Sequence, residues 1–585
     1  MAGFVKTALS LDSKSLPPSL GYEKPNPTID FATSPFRVND QLSPWVSHKG
    51  PRRAAINALG VGGTNAHVIL EEAPLRAASE ESDFPFQVLC LSGQSKSALE
   101  ANTQNLVAYL RANPKAELAD VAYTLKEGRR GFAKRRMVVA ETATEAADLL
   151  EAANPRQVFT HDHLGPNPEV VFMFPGGGAQ YAGMARDLYE TEPVFADWMD
   201  QGLDHLEKSL DFDLRALWLP EAGEEAAADA ALLKPSVQLP LIMIVEYALA
   251  QLWMSWGVKP AAMVGHSMGE NTAACLAGVM RFEECIDLVQ LRGRLFDTVN
   301  PGGMLSISLP LTEVEALVGT DLDIASVNAP ELTAVSGPND RLDALAETLR
   351  ARDVEFQRIP IDIAAHSRML EPILDDFRAY LRSIDLFAPQ IPLTSNRSGA
   401  LMTDEQATSP DYWVEHLRGT VQFADCIATL ARPERIYLEV GPGKALSALA
   451  RQHPDVAGQA VLSSLRHRDD AITDDKHMFE VLGRFWALGA SFDWEQVWGD
   501  ARRNRVVLPS YAFQRAPYFI APGKAQSDTA PQFLMRNDDV ASWGWKPVWR
   551  PARRLSRSMS NPGLRMPSRR AGWSSWTRPG SPPAQ

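Results

Sequence analysis

Met263-Val264-Gly265-His266-Ser267-Met268-Gly269-Glu270 is an apolar run that ends in Gly-x-Ser-x-Gly, with a helix-like segment behind it. Two glycines at that spacing let a strand turn sharply into a helix, and the residue between them is held out at the turn. The pattern predicts a nucleophile elbow presenting the Ser267 hydroxyl. The amide of Met268 and the positive end of the following helix then face the point where a tetrahedral intermediate carries its negative charge. An ordinary packing loop can carry the same residues, so the surroundings decide.

Upstream, Val170-Val171-Phe172-Met173-Phe174 reads as a short buried strand running into Pro175-Gly176-Gly177-Gly178-Ala179-Gln180. A glycine loop at a strand end brings backbone amides close to a substrate, which makes Gly177 the candidate for a second oxyanion donor. A phosphate loop is the competing reading, but no Gly-Lys-Ser/Thr follows. Downstream, Arg292 falls on a helix expected over 283–299, and a guanidinium fork there can hold a carboxylate in two-pronged fashion. His366 follows a strand expected over 354–361, within the small-residue loop Ile363-Ala364-Ala365-His366-Ser367.

Together these residues resemble the acyltransferase domain of modular polyketide synthases, itself similar to the malonyl transferase of fatty acid synthesis. The resemblance covers about residues 168–455. It rests on Phe-Pro-Gly-x-Gly-Ala-Gln at 174–180, Gly-His-Ser-Met-Gly-Glu at 265–270, the Arg292 segment, Ala-His-Ser at 365–367 and Glu-Val-Gly-Pro-Gly at 439–443. It implies an α/β-hydrolase-like core with an inserted ferredoxin-like subdomain, and a small α/β linker domain in front. It also implies roles: Ser267 is the acylated nucleophile, His366 its base and later acid, and Arg292 the grip on the carboxylate of a dicarboxylic acyl group. Family members orient the imidazole with a backbone carbonyl, expected here within 412–422 and assigned to His416, so no triad aspartate is needed. Gly177, Met268, Gln180, His266, Ala365 and Ile363 complete the expected substrate-binding set. Many relatives carry Gln where this chain has Gly177, but a backbone amide serves the same purpose.

The stretch from Gly303 to Ile361 alternates strand, helix, strand, strand, helix, strand, the split βαβ pattern of a ferredoxin-like unit. Extender choice turns on the loop before His366. In the family, His-Ala-Phe-His accompanies malonyl and Tyr-Ala-Ser-His methylmalonyl, whereas this chain has Ile363-Ala364-Ala365-His366. Ala365 leaves room for a methyl branch, Ile363 and Met268 match neither set, and the reading leans to malonyl.

Residues 1–75, with Gly60-Val61-Gly62-Gly63-Thr64-Asn65-Ala66-His67, resemble the C-terminal end of a ketosynthase. That family's catalytic cysteine and histidines lie earlier in it, so no condensation chemistry is expected. Residues 76–165 read as the ketosynthase–acyltransferase linker domain, 166–460 as the acyltransferase with its subdomain at about 303–361, and 461–520 as the post-acyltransferase linker. From 521 to 585 a disordered or non-native tail is expected: residues 551–585 hold seven arginines and no Asp or Glu. A basic arm for nucleic acid is the competing reading.

The chain has 585 residues, 45% of them hydrophobic, and a net charge of −14. That length suffices for several cores, and the acidic balance argues against general nucleic-acid binding. Cys90, Cys275, Cys285 and Cys426 lack Cys-x-x-Cys spacing, so neither disulfides nor a metal is implied. The apolar stretch 239–256 is broken by Pro240 and Glu246 and fits a core helix better than a membrane span. A reducing cytoplasm is the expected setting. The resemblance implies no tightly bound cofactor, malonyl-CoA or methylmalonyl-CoA as substrate, and partners in other polyketide synthase domains. The main partner is an acyl carrier protein whose phosphopantetheine thiol takes the acyl group. Two rivals remain: a serine esterase or thioesterase of α/β-hydrolase type, which needs an acid between Ser and His and has no use for Arg292, and an inactive truncated synthase fragment.

Overall fold

A computed structural model describes residues 1–498, 501–520, 539, 546–547 and 576–577. Its two compact units are Met1–Phe513 and Gln514–Gln585. In the second, Lys546–Pro547 pairs antiparallel with Trp576–Thr577. The rest of the arginine-rich stretch expected to be a disordered or non-native tail lies outside the described residues.

The first unit is built around a parallel sheet of four strands in the spatial order Ala460–Ser463, Ile436–Glu439, Val170–Phe174, Pro260–Gly265. All five residues of Val170–Phe174 are buried, as a central parallel strand covered on both faces requires. Phe172 and Phe174 pack on the face of the long helix Pro235–Ser255, while Val171 and Met173 join Phe423, Ile427 and Tyr437 on the other. Pro235–Ser255 is long and apolar enough to cross a membrane, yet 89% of its most apolar window is buried inside the protein. It is therefore the core helix expected from Pro240 and Glu246. The sheet takes in Ala460–Ser463, across the boundary expected at 460.

The insertion after the elbow forms a four-stranded antiparallel sheet ordered Asp323–Ala329, Leu332–Gly337, Gly303–Ile307, Phe356–Ile359. In sequence order that is 2-3-1-4, the ferredoxin-like arrangement. Its last strand is shorter than the expected 354–361: Asp353 takes a left-handed conformation with φ of 56°, and Pro360 has no N–H to continue the ladder.

In front of the core, Gln87–Gly93, Lys134–Ala140 and Val158–Asp162 form an antiparallel sheet backed by the helices Lys96–Ala112, Leu118–Glu127 and Ala143–Ala152. The chain returns to it near residue 500. Val506 N–H donates to Thr124 Oγ1 at 2.9 Å, Gln94 N–H to Tyr511 Oη at 2.9 Å and Arg129 to the Pro509 carbonyl at 2.8 Å, while Leu508 is buried among the helices. Near the N-terminus, Arg53–Leu59 and Asn65–Glu71 form a hairpin.

Candidate active site

Ser267, two residues beyond the strand Pro260–Gly265, has φ of 54°, a left-handed conformation that a side-chain-bearing residue keeps only when its surroundings enforce it. Asn396 does the enforcing. Its Oδ1 accepts from the Ser267 amide at 2.9 Å, its Nδ2 donates to the Gly265 carbonyl at 2.8 Å, and its own amide donates to Glu270 Oε2 at 2.6 Å. The two glycines are required by close approach: a Cβ at Gly265 would run into the Glu270 amide, and one at Gly269 into the Phe174 carbonyl. Gly269→Ala is therefore expected to forbid the elbow and cost the protein its cooperative melt, readable by circular dichroism; a variant that folds and acylates normally would refute this account.

Ser267 Oγ lies 2.7 Å from His366 Nε2, and His366 Nδ1 lies 2.9 Å from the Gly419 carbonyl. A carbonyl only accepts, so Nδ1 carries the proton and Nε2 turns its lone pair to the serine. Burial, with the Arg292 charge second, holds the His366 pKa down to about 3, so the imidazole rests as the neutral base. The carbonyl expected from His416 comes instead from Gly419. The helix Pro410–Arg418 ends just before it, and carbonyls within a helix point along its axis, whereas one beyond the last turn is free to turn aside. His416 is buried behind the dyad, its Nε2 3.7 Å from Glu270 Oε2.

Arg292, on the helix Phe282–Phe296, is 2% exposed. Its Nη2 donates to Ser267 Oγ at 2.9 Å, its Nη1 to Asn271 Oδ1 at 3.3 Å, and its guanidinium lies 5.4 Å from the Phe296 ring. Its Nε is buried without a partner. Burial lowers the pKa only to about 10, so the group stays cationic at neutral pH. The nearest acid, Glu270, is raised by burial to about 8 and is engaged by Tyr412 and Asn396. A buried cation with an unused donor is costly unless an anion arrives to meet it.

These groups share one cavity of about 140 Å³. Gly176, Gly177, His266, Ser267, Arg292, Ile363, Ala365 and His366 line it together with the apolar side chains of Leu239, Phe296, Met304, Ile359 and Ile361. Gly177, His266, Ala365 and Ile363 thus stand in the expected wall. His266 Nε2 is 2.8 Å from Asn328 Oδ1, which ties the elbow to the inserted subdomain. Met268 is fully buried with its sulfur against Thr272, so it can offer the site only its backbone. Gln180 is not in the wall: it accepts from Gly178 N–H at 2.9 Å and donates to the Leu232 carbonyl at 3.1 Å, bracing the glycine loop. The sequence reading misses Asn396, Asn328 and Tyr412. Thr394-Ser395-Asn396 is a short polar run like any surface loop, and only the fold reveals that the whole run is fully buried.

The buried titrating groups around the core make stability depend on pH in two opposed ways. Burial raises Glu270 to about 8 and Glu439, which caps the helix Ala445–Gln452 through the Leu446 and Ser447 amides, to about 7. Their stabilisation is complete below the unfolded value of 4.5 and is lost as pH rises through those folded values. Burial lowers His366 to about 3 and His477 to about 4, so their stabilisation is complete above 6.5 and is lost as pH falls. The thermal midpoint is expected to peak between pH 4.5 and 6.5. A midpoint that climbs steadily from pH 6.5 to 8 in scanning calorimetry would contradict this assignment.

A serine on an elbow, a histidine held by a backbone carbonyl and a buried arginine thus meet in one cavity. The family described as acyl transferase domain matches residues 171–475, and a second, described as CurL-like polyketide synthase C-terminal, matches residues 87–150. The chain belongs to the acyl transferase domain family, in the form found in polyketide synthases. It is 36% identical over 549 residues to a phenolphthiocerol/phthiocerol polyketide synthase protein of Mycobacterium tuberculosis, a match covering 91% of this chain and 36% of that one. It thus spans about a third of that relative's length. Among solved structures it resembles the acyl transferase domain of ZmaA, with 34% identity, a TM-score of 0.68 and coverage of 74% of this chain and 100% of that one. The acyl transferase domain of SpnD, solved with 2-(pent-4-yn-1-yl)malonyl, gives 35% identity, a TM-score of 0.64 and coverage of 70% and 97%.

Proposed function

We propose that the chain moves a dicarboxylic extender acyl group from CoA, through an ester on Ser267, to the phosphopantetheine thiol of an acyl carrier protein. The observation that carries the reading is the meeting of Ser267, His366 and a buried Arg292 with an unused Nε–H in one cavity. Ser267 Oγ gives its proton to His366 Nε2 and attacks the thioester carbon. The carbon–sulfur bond breaks, and the CoA sulfur leaves with that proton. In the second half, His366 takes the proton of the phosphopantetheine thiol, the sulfur attacks the acyl carbon, and the proton returns to Ser267 as the ester bond breaks. The Gly177 and Met268 amides serve the developing oxyanion. Arg292 leaves Ser267 Oγ to take the far carboxylate, which also satisfies its unused Nε–H. The carbonyl partner of His366 Nδ1 favours this reading over an esterase triad, which calls for a carboxylate there.

Malonyl is the favoured extender and methylmalonyl its competitor, because Ala365 leaves space where a bulkier residue would stand. One methyl is worth about 1–3 kcal/mol. Ala365→Phe is accordingly expected to lower kcat/KM for methylmalonyl-CoA about tenfold or more relative to malonyl-CoA. Equal losses on both substrates would count against this wall as the sieve. Residues 1–75 are read as the end of a ketosynthase, 76–165 and 461–520 as scaffold, and other synthase domains as partners in a cytoplasmic assembly. The test of the whole is incubation with a panel of acyl-CoAs and mass analysis of the peptide containing Ser267. A malonyl or methylmalonyl adduct there supports it; a soluble, folded protein with no adduct overturns it in favour of an inactive fragment.

A further inference from the structure

Both halves of the base assembly lead to one carboxylate outside the cavity. His366 has φ of 56°, so its loop needs an external hold. Two residues on, Arg368 gives its backbone N–H to Asp323 Oδ2 at 3.0 Å, its Nε to the same oxygen at 2.9 Å and its Nη2 to Oδ1 at 3.1 Å. On the other side of the imidazole, the residue before Gly419 is Arg418, whose Nη2 lies 3.5 Å from Asp323 Oδ1. The chain after Gly419 is laced to the same subdomain strand. Thr420 Oγ1 donates to the Ile324 carbonyl at 2.8 Å, Val421 N–H to Ala325 O at 2.9 Å, and Val327 N–H to Val421 O at 2.9 Å. Asp323 is only 15% exposed in its side chain, against 49% for Arg368 and 28% for Arg418, so it is the anchored member that two more exposed arginines share.

We propose that Asp323, at the start of a subdomain strand, is a positioning residue for the acyl transfer. By holding Arg368 and Arg418 at once, it fixes the spacing between His366 Nδ1 and the Gly419 carbonyl, and with it the aim of Nε2 at Ser267. Asp323 touches no reacting atom and is absent from the cavity wall. The proposal rests on the reading of His366 as the base. Ion pairs whose arginines are partly exposed to solvent are worth little to stability, whereas a misplacement of about 1 Å at a catalytic group can slow a reaction about a hundredfold. The role therefore shows in rate more than in folding.

The test is quenched-flow acylation of Ser267 by malonyl-CoA, followed by mass analysis of the intact protein beside a thermal melt. Asp323→Asn is expected to lower the acylation rate constant about tenfold to a hundredfold, with KM for malonyl-CoA unchanged and a melt close to that of the parent. Asp323→Glu, which restores the charge, is expected to recover part of the rate. Asp323→Asn acylating at the parent rate, or raising KM at constant kcat, would overturn the proposal. Should Asp323→Asn fail to fold, Arg418→Gln and Arg368→Gln each release one arm of the clamp. Slower acylation in both supports the role, and parent rates in both overturn it. A parent protein that never acylates Ser267 would overturn the functional reading itself, and this inference with it, an outcome distinct from a fast Asp323→Asn.

Discussion

Ser267→Ala is expected to abolish the acyl adduct and to lower transfer from acyl-CoA on the order of 10⁶-fold, the loss that follows when the nucleophile of a cooperating set is removed. The elbow is enforced by Asn396 and by the close packing at Gly265 and Gly269, so the variant keeps its fold. The loss then belongs to chemistry, with an unchanged melt as the control. Arg292 Nη2 would lose the Ser267 oxygen, leaving the guanidinium freer to hold a carboxylate. Substrate binding should therefore survive, and a dicarboxylic acyl-CoA should still protect the variant against heat. An adduct of parent yield on the Ser267→Ala protein would show that another residue carries the acyl group.

The second large effect is expected at Arg292. Truncating one partner of a buried charged pair costs about 2–5 kcal/mol, so Arg292→Ala should reduce kcat/KM for malonyl-CoA by about three-hundredfold at the middle of that range. A monocarboxylic acyl-CoA has no carboxylate to lose. Its rate should hold or rise, because the variant removes a buried cation that such a substrate leaves unpaired. Steady-state kinetics with malonyl-CoA and acetyl-CoA side by side give the ratio. A parallel fall on both substrates would make Arg292 a structural residue, and an unchanged rate on both would favour a general esterase.

What can be read from the sequence follows from which kinds of information a side chain carries. Gly265, Ser267 and Gly269 announce a backbone geometry because few other residues tolerate it, and Val170–Phe174 announces a buried strand because nothing polar interrupts it. Arg292 and His366 can be singled out, but the sequence does not say that they meet; the packing of the helix Phe282–Phe296 on the core helix brings one to Ser267, and the loop that leaves the subdomain brings the other. The carbonyl of Gly419, expected at His416, escapes the sequence because every residue owns a carbonyl. Which one is free depends on where the helix Pro410–Arg418 stops. Gln180 enters the substrate set by its place in a motif, while its amide is spent on the loop. Asn396 leaves no trace because a buried asparagine and an exposed one are spelled alike.

The returning strip at 501–513 has a practical consequence for anyone who cuts or grafts this chain. Its hydrogen bonds to Gln94, Thr124 and Arg129 and the burial of Leu508 between the front helices stitch the tail of the catalytic region onto the domain that precedes it. A graft cut at the edges of the nucleophile's own sheet would leave raw apolar seams on donor and host alike. A cassette bounded near residues 86 and 513 carries both sides of that seam with it.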